Sequence, residues 1–243
     1  MARRTNIKLV PWDHESEAHV ARAVAQRQAC GWGASEVPSW VEKSSKGLRY
    51  MYWIVLADDH SEMLQQHVGK YPDESKPLQD TSKGSDLLPH EPAGDFIPVG
   101  HVALKKEATP DLSGQAEKHL SPDAKFYWIT SLYVTDALQG RGLGRSAMSQ
   151  LESLVAQSSA EKTLLILDTI PTSFQLSDWS YKYFLEPKGL PMPKQSNQQW
   201  YEQQGYEVFA TLPDHRFVQL PNDVSTHVTV LLLQKGIPSK KLQ

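Results

Sequence analysis

The chain has 243 residues, of which 40% are hydrophobic and 22% charged, and its formal net charge is -3. This length suits one large domain or two small ones, and the composition is that of an ordinary globular protein. The charge gives no global argument for binding nucleic acid, and no apolar run approaches the ~20 residues of a membrane-spanning helix. The single cysteine, Cys30, excludes an internal disulfide framework and fits a reducing compartment. We therefore expect a cytoplasmic protein, with the nucleus as an alternative, that binds neither nucleic acid nor membrane.

Periodicity and turn residues divide the chain into alternating strands and helices. Strands are expected over residues 6–10, 49–57, 96–104, 125–134, 163–167, 206–211 and 225–234. Helices are expected over residues 14–29, 36–44 and 195–204, with a fourth that starts at about Leu143. Asp13 is the expected N-cap of the first helix, whose apolar side is formed by Val20, Ala21, Val24 and Ala25. Residues 171–193 are rich in aromatic side chains and are expected to form a long loop.

Two polar stretches interrupt this pattern, at about residues 58–95 and 105–124. The first holds several prolines and few large apolar side chains, so it cannot bury enough surface to offset the entropy cost of ordering it. We expect both stretches to be mobile insertions in a single domain that spans residues 1–243.

The most informative stretch is the turn between the strand that ends in Leu132, Tyr133 and Val134 and the following helix. It reads Gln139-Gly140-Arg141-Gly142-Leu143-Gly144-Arg145-Ser146. Glycine allows positive φ and a close approach of a ligand to the backbone. A helix N-terminus presents free N–H groups and a partial positive charge, which suits a phosphate. The turn therefore predicts a pyrophosphate-binding site with two arginines beside it.

Two motifs in this order resemble the GNAT superfamily of acyl-CoA-dependent N-acyltransferases. The family signature Arg/Gln-x-x-Gly-x-Gly/Ala stands here as Gln139-Gly140-Arg141-Gly142-Leu143-Gly144. The family's aromatic-Tyr-x-x-x-Gly-aromatic helix end stands as Trp200-Tyr201-Glu202-Gln203-Gln204-Gly205-Tyr206. The resemblance covers nearly the whole chain outside the two insertions. It implies an α/β (α+β) fold, with a mixed and mostly antiparallel sheet of about seven strands that is splayed at the fourth and has helices on both faces.

The resemblance also implies transfer of an acetyl group from acetyl-CoA to a primary amine by direct attack, without a metal. The acceptor is open, with a small molecule favoured over a protein, and a monomer or homodimer is expected. Tyr201 matches the tyrosine that protonates the departing thiolate, with an ordinary core aromatic as the alternative. A backbone N–H of the strand before the turn would polarise the thioester carbonyl. The residues expected at the cofactor are Leu132, Tyr133, Val134, Gln139, Gly140, Arg141, Gly142, Leu143, Gly144, Arg145, Ser146 and Asn197.

The sequence leaves the general base open. Some family members have a glutamate close to the place of Trp128, whose side chain cannot take that role. His101 and Asp168 are candidates, with a buried core histidine and a strand-end cap as the structural alternatives, and water is a third candidate. Lys194 stands near the place of a family asparagine, and Asn197 follows one turn later. The cofactor contacts of the last helix therefore depart from the family pattern.

Other functions compete with the transferase. A dinucleotide-binding unit fits Gly140 and Gly142, but it would need a third glycine where Arg145 stands. A nucleotide phosphate loop is excluded because no Gly-Lys-Ser/Thr follows the glycines. A GNAT-like module that binds an acyl-CoA without catalysis is the alternative from a different class. Several aromatic side chains either line an acceptor pocket or form local core, namely Trp32, Trp40, Trp179, Tyr181 and Tyr183.

Overall fold

The computed structural model describes residues 7–57, 60–85, 87, 89–92, 94–106, 110–121, 123–159, 161–219 and 224–239. Seven strands form a mixed, mostly antiparallel sheet that is accompanied by helices, and two short strands form a separate ribbon. The expected fold class is therefore confirmed. The splay of the sheet at the fourth strand stays a prediction.

The strand and helix boundaries mostly fall within a few residues of the expected ones. The strands are β1 (Ile7–Pro11), β2 (Arg49–Leu56), β3 (Leu78–Gln79), β4 (Asp95–Phe96), β5 (Pro98–Lys105), β6 (Phe126–Val134), β7 (Thr163–Thr169), β8 (Glu207–Gln219) and β9 (Ser225–Ile237). The helices are α1 (Glu17–Cys30), α2 (Val37–Ser45), α3 (Ser61–Lys70), α4 (Pro110–Glu117), α5 (Leu143–Ser158), α6 (Thr172–Gln175), α7 (Asp178–Ser180) and α8 (Asn197–Glu202).

The contacts divide the chain into two compact units. The first comprises Met1–Glu107, Tyr127–Thr163 and Ile237–Gln243, and the second comprises Ala108–Phe126 and Leu164–Gly236. Both units are therefore assembled from segments that are distant in sequence. The expectation of a single domain over residues 1–243 stays a prediction.

The first unit contains four strands of the main sheet in the order β1–β2–β5–β6, and each neighbouring pair is antiparallel. Every residue of β2 and of β5 is buried, as expected for the two inner strands of this group. Trp40 from α2, Trp53 from β2 and Ala103 from β5 belong to one hydrophobic cluster. The core of this unit therefore lies between the inner strands and the helices α1 and α2.

Helix α1 buries a polar side next to the expected apolar one, of which Val20 and Val24 do pack against the core. Ser16 rather than Asp13 is its N-cap, because the Ser16 hydroxyl accepts a hydrogen bond from the His19 N–H. Its buried residues are His19, Arg22, Ala23, Gln26 and Arg27, which recur at helical spacing, whereas the alanines of the expected apolar side are exposed. The helix can bury a polar side because other segments supply hydrogen-bond partners to it.

Those partners come largely from the stretch 58–95, which we expected to be a mobile insertion. The stretch contains α3, a 3-10 turn over Pro72–Ser75 and the β3–β4 ribbon. Glu74 is 5% exposed and accepts a hydrogen bond from Gln26 at 2.8 Å, and the carbonyl oxygen of Lys76 accepts one from Arg22 at 2.7 Å. In these residues polar contacts replace the apolar contacts that the composition lacks, and the mobility of the insertion stays a prediction. The other polar stretch, 105–124, contains α4 in its described part.

The second unit contains β7, β8 and β9, and β8 and β9 pair antiparallel. We expected β8 to end at residue 211, but it continues to Gln219 through an irregularity between Leu212 and Arg216. Asp214 has a φ of 47° within this irregularity, so the strand accommodates the local proline by bulging rather than by ending. The expected loop over 171–193 instead contains α6, α7 and further helical turns.

Candidate active site

The strand before the glycine turn is bulged at the place where the cofactor arm is expected. His101 of β5 pairs with Tyr133 of β6, whereas Ala103 pairs with Thr130, so Ser131 and Leu132 face a single residue of β5. Ser131 has a φ of 55°, which a non-glycine residue rarely adopts. A bulge leaves the extra residue outside the regular hydrogen-bond ladder. The backbone near Leu132 is therefore locally freed from its pairing with β5.

Gly100 makes the close pairing at the end of this strand possible. A Cβ added to Gly100 would overlap the carbonyl oxygen of Tyr133 and lie 3.0 Å from the Cα of Val134. No larger residue fits there without moving β6. Gly100 thus fixes the position of the backbone of Tyr133 and Val134, both of which are predicted cofactor contacts.

The glycine turn has the conformation that an anion site needs. Gly140 and Gly142 have φ values of 77° and 83°. Gly142 is the N-cap of the 16-residue helix α5 and, as a glycine, has no side chain that could bond to the first N–H groups of α5. Gly140, Arg141 and Arg145 are exposed, and Gly144 is partly exposed. The turn after β6 therefore leads to a helix N-terminus flanked by exposed residues, and its role at a pyrophosphate stays a prediction.

Contacts from α3 and the following Tyr71 hold this turn in place, and no sequence pattern predicted them. Gln66 of α3 accepts a hydrogen bond from the Arg141 guanidinium at 2.7 Å. Lys70 and Tyr71 donate hydrogen bonds to the Asp136 carboxylate, at 2.9 and 2.8 Å. Burial acts to raise the pKa of Asp136, but these two hydrogen bonds outweigh it and hold the pKa below its ordinary value. The polar stretch thus orients one of the two arginines beside the turn.

His101, one of the candidate bases, is fully buried next to the bulged strand. The Gln26 amide nitrogen donates to Glu74 and to the carbonyl oxygen of Pro98, so the Gln26 carbonyl oxygen faces His101 Nδ1 at 2.9 Å. This network assigns the proton to Nδ1 and leaves a lone pair on Nε2. His101 Nε2 has no hydrogen-bond partner among the residues that the structure describes. Burial and then the charges of Arg27 and Arg49 lower the pKa of His101 well below its ordinary value, so the ring is neutral.

Tyr201 lies in the second unit, on the short helix α8. Ser196 begins this helix with a capping box, in which its hydroxyl accepts from the Gln199 N–H and its own N–H donates to the Gln199 side chain. The Tyr201 ring contacts those of Trp200 and Tyr206, with centroid distances of 4.9 and 5.9 Å. Burial and then the negative charge of Asp168 raise the pKa of Tyr201. Its hydroxyl is therefore protonated at neutral pH, as a proton donor must be.

The other predicted residues of the second unit have mixed outcomes. Asp168 lies within β7 and accepts a hydrogen bond from Arg216 at 2.7 Å. The Arg216 guanidinium therefore balances the negative charge of the Asp168 carboxylate. Asn197 is the exposed first residue of α8, and its N–H donates to the Gln175 side chain. Lys194 lies before α8 and is exposed. The predicted role of Asn197 at the cofactor remains a prediction.

The candidate acceptor aromatics separate into two groups. Trp179 and Tyr183 have ring centroids 4.7 Å apart and pack against Val218 and Val228, so they form local core of the second unit. Trp40 belongs to the core of the first unit, whereas Trp32 is 55% exposed. Trp128 is fully buried. Of the predicted acceptor aromatics, Trp32 is thus the large hydrophobic side chain that is exposed.

None of the described helices is both long and apolar enough to cross a membrane. The same part of the chain contains no group of three or more His, Cys, Asp or Glu side chains that could hold a metal ion.

A bulged strand that leads through a glycine turn into an uncapped helix, within a mixed seven-stranded sheet, is the arrangement expected of an acyl-CoA-dependent acyltransferase. The chain belongs to the GNAT acetyltransferase family, because the sequence profile described as "Acetyltransferase (GNAT) family" matches residues 45–177, more than half of its length. The matched region contains β6, the glycine turn and α5. No curated protein matches the chain by sequence.

Solved structures of low sequence identity share the fold. An aminoglycoside 6'-N-acetyltransferase complexed with coenzyme A is 13% identical, with 96% of this chain and 98% of that chain covered and a TM-score of 0.51. NAA60 from Arabidopsis thaliana, in complex with a bisubstrate analogue, is 11% identical, with 95% and 98% covered and a TM-score of 0.52. The aminoglycoside 6'-N-acetyltransferase from Enterococcus faecium is 13% identical, with 96% and 98% covered and a TM-score of 0.51. At these identities the likeness concerns the fold alone.

Proposed function

We propose that the protein transfers an acetyl group from acetyl-CoA to a primary amine, with a small-molecule amine favoured over a protein. The observation that carries the proposal is the bulged strand β6 followed by the uncapped N-terminus of α5. The free N–H groups of Leu143, Gly144 and Arg145 would bind the pyrophosphate, and Arg141 would add a charge-assisted contact. The freed backbone near Leu132 would pair with the pantetheine arm and donate to the thioester carbonyl oxygen.

The reaction needs two proton movements besides the attack itself. The amine nitrogen attacks the thioester carbonyl carbon, the new C–N bond forms, and the C–S bond breaks with its electron pair leaving on sulfur. Tyr201 would donate its proton to this thiolate, consistent with the raised pKa of its hydroxyl. His101, Asp168 and water all stay candidates for accepting the amine proton. Arg216 already balances the charge of Asp168, and the burial of His101 beside Arg27 and Arg49 disfavours its protonated form.

The role of Tyr201 can be tested with a matched pair of tyrosines. We expect Tyr201→Phe to retain acetyl-CoA binding and to lower kcat by about 10²–10⁴-fold, the usual contribution of a positioned acid. Tyr206→Phe is the control, because Tyr206 is a buried neighbour of Tyr201 with no assigned chemical role. The measurement is thiol release from acetyl-CoA on a panel of amines, with binding followed by calorimetry. An unchanged kcat in Tyr201→Phe would exclude the acid role.

The same assay separates the enzyme from a non-catalytic module that binds acyl-CoA. Binding of acetyl-CoA without thiol release on any amine would favour the module. We also propose a cytoplasmic or nuclear location, which the reducing compartment indicated by a single free cysteine supports. A monomer or homodimer stays the expected oligomeric state.

A further inference from the structure

Two buried arginines meet at one tryptophan in the first unit. Arg27 at the end of α1 is 7% exposed, and Arg49 at the start of β2 is 4% exposed. Their guanidinium carbons lie 5.6 and 4.0 Å from the centroid of the Trp40 ring. A buried guanidinium is costly unless acceptors surround it, so each N–H of this pair needs a partner.

The described residues do not supply enough acceptors for this pair. Arg49 donates to the Ser131 hydroxyl at 2.9 Å. The Nε atoms of Arg27 and Arg49 are both buried and have no hydrogen-bond partner in the described part of the chain. Glu36 is the acidic group whose charge acts on Arg49, yet Glu36 is exposed and makes no ion pair with either arginine within the described residues. Two buried positive charges therefore share one solvent-facing negative charge.

The arginine pair adjoins the place where the reaction is proposed to occur. Ser131, the partner of Arg49, is a residue of the bulge in β6 and directly precedes the predicted cofactor contact Leu132. The pair also acts electrostatically on His101, one of the candidate bases. Gly33, in the connection between α1 and α2, lies next to Arg27 and to Glu36, because a Cβ added to it would be 3.4 Å from Arg27 Nη2 and from Glu36 Oε1. The pair therefore lies next to the α1–α2 connection and, through Ser131, next to the bulge of β6.

We propose that the acceptor amine carries a carboxylate, which Arg27 and Arg49 bind. This inference rests on the proposed acetyl transfer, and it narrows the acceptor from small-molecule amines in general to free amino acids. A planar carboxylate accepts paired N–H groups from a guanidinium fork, which supplies the missing acceptors, and its charge balances the buried positive charge. Ser131 then ties the carboxylate site to the bulge, so that binding the acid positions the amine at the thioester.

The test uses amines that differ only in the carboxylate. The matched pairs are phenylalanine with phenethylamine, histidine with histamine, and lysine with cadaverine, each assayed by thiol release from acetyl-CoA. We expect at least one amino acid to be favoured over its decarboxylated partner by about 10–100-fold in kcat/KM, the size expected for hydrogen bonds to a charged group. Equal or faster reaction of the decarboxylated amine in every pair would overturn the inference while leaving the acetyl transfer intact.

Substitution of Arg49 assigns the preference to this site. We expect Arg49→Met to remove the preference by raising KM for the amino acid with little change in kcat, and Arg49→Lys to restore part of it. Arg22→Met is the matched control, because Arg22 is a similarly buried arginine of α1 whose charge is balanced by the buried Glu74 and which donates to the Lys76 carbonyl, although its Nη1 also lacks a hydrogen-bond partner among the described residues. A preference that persists in a folded Arg49→Met protein would show that the arginines serve stability alone, and it would refute the proposal.

A binding measurement separates this inference from the proposed function. Calorimetric titration of the same amine pairs into the protein saturated with coenzyme A does not require turnover. If no amine reacts but the amino acids bind and lose binding in Arg49→Met, the carboxylate site stands and the acetyl transfer fails. If no amino acid binds and none reacts, both fail.

Discussion

Substitution of Gly144 by aspartate should weaken acetyl-CoA binding without lowering the free energy of unfolding. Gly144 is the second residue of α5, within the turn whose N–H groups are proposed to bind the pyrophosphate. Two unit charges 4 Å apart in a partly exposed site repel by about 4 kcal/mol, which corresponds to roughly a thousand-fold in affinity. We therefore expect Gly144→Asp to weaken acetyl-CoA binding by about three orders of magnitude.

The stability of the same variant should not fall. A carboxylate in the first turn of a helix interacts favourably with the helix dipole by about 0.3–1 kcal/mol, and aspartate also replaces the poorer helix former glycine. The assays are calorimetric titration with acetyl-CoA and urea unfolding, with Gly144→Ala as the control that retains binding. A folded Gly144→Asp protein that binds acetyl-CoA as tightly as the unchanged protein would refute the assignment of this turn.

Three further predictions concern the elements around the site. Gly100→Ala should lower the free energy of unfolding by about 1–3 kcal/mol, because its Cβ would overlap the Tyr133 carbonyl, whereas Gly69→Ala on exposed α3 should raise it by up to about 1 kcal/mol. Glu74→Ala should lower it by about 3 kcal/mol or more, because it leaves buried polar groups of α1 without an acceptor. The stabilisation from Asp136, whose pKa is lowered on folding, should be present at neutral pH and vanish as the pH falls through that pKa, below about 4.

Each of these is checked by urea unfolding with a paired measurement. For Gly100→Ala the control is Gly69→Ala, where the added Cβ meets no other atom within 4 Å. An equal loss of stability in both variants would mean that the overlap with the Tyr133 carbonyl is not the cause. For Glu74→Ala the control is the exposed neighbour in Asp73→Ala, and equal effects would contradict the buried network. For Asp136 the difference between the unchanged protein and Asp136→Asn should shrink between pH 6 and pH 3, and a constant difference would contradict the assigned titration.

The sequence was sufficient where local chemistry decides the structure. The glycine turn could be predicted from its own residues, because the positive φ values at Gly140 and Gly142 favour glycine and α5 begins directly after Gly142. The inner strand β2 could likewise be predicted from its run of aromatic and branched residues. These features depend on neighbours in sequence, and so the motif and the family resemblance recovered them together.

The sequence was insufficient where partners come from distant segments. The polar part of the buried side of α1 was not predicted, because its residues are hydrogen-bonded by Glu74, Lys76 and Gln79, which lie in the stretch expected to be a mobile insertion. Both features were missed for one reason, because α1 and residues 74–79 supply each other's hydrogen-bond partners. Arg49 did leave a signal: a charged residue opens a strand that is otherwise apolar and aromatic, and a buried cation at such a position needs an explanation.

The buried polar side of α1 has a consequence for the order of folding. Its hydrogen bonds to Glu74, Lys76 and Gln79 span 48, 54 and 60 residues of chain, and those of Gln26 to Pro98 and His101 span 72 and 75. The chain must close these long loops before the bonds form, and contacts of high sequence separation form slowly. The pairing of β2 with β5 closes loops of similar length, so helix α1 will settle into place no earlier than these strands pair. Until then its arginines and histidine remain in water, and hydrogen exchange during refolding will show α1 acquiring protection no earlier than the inner strands.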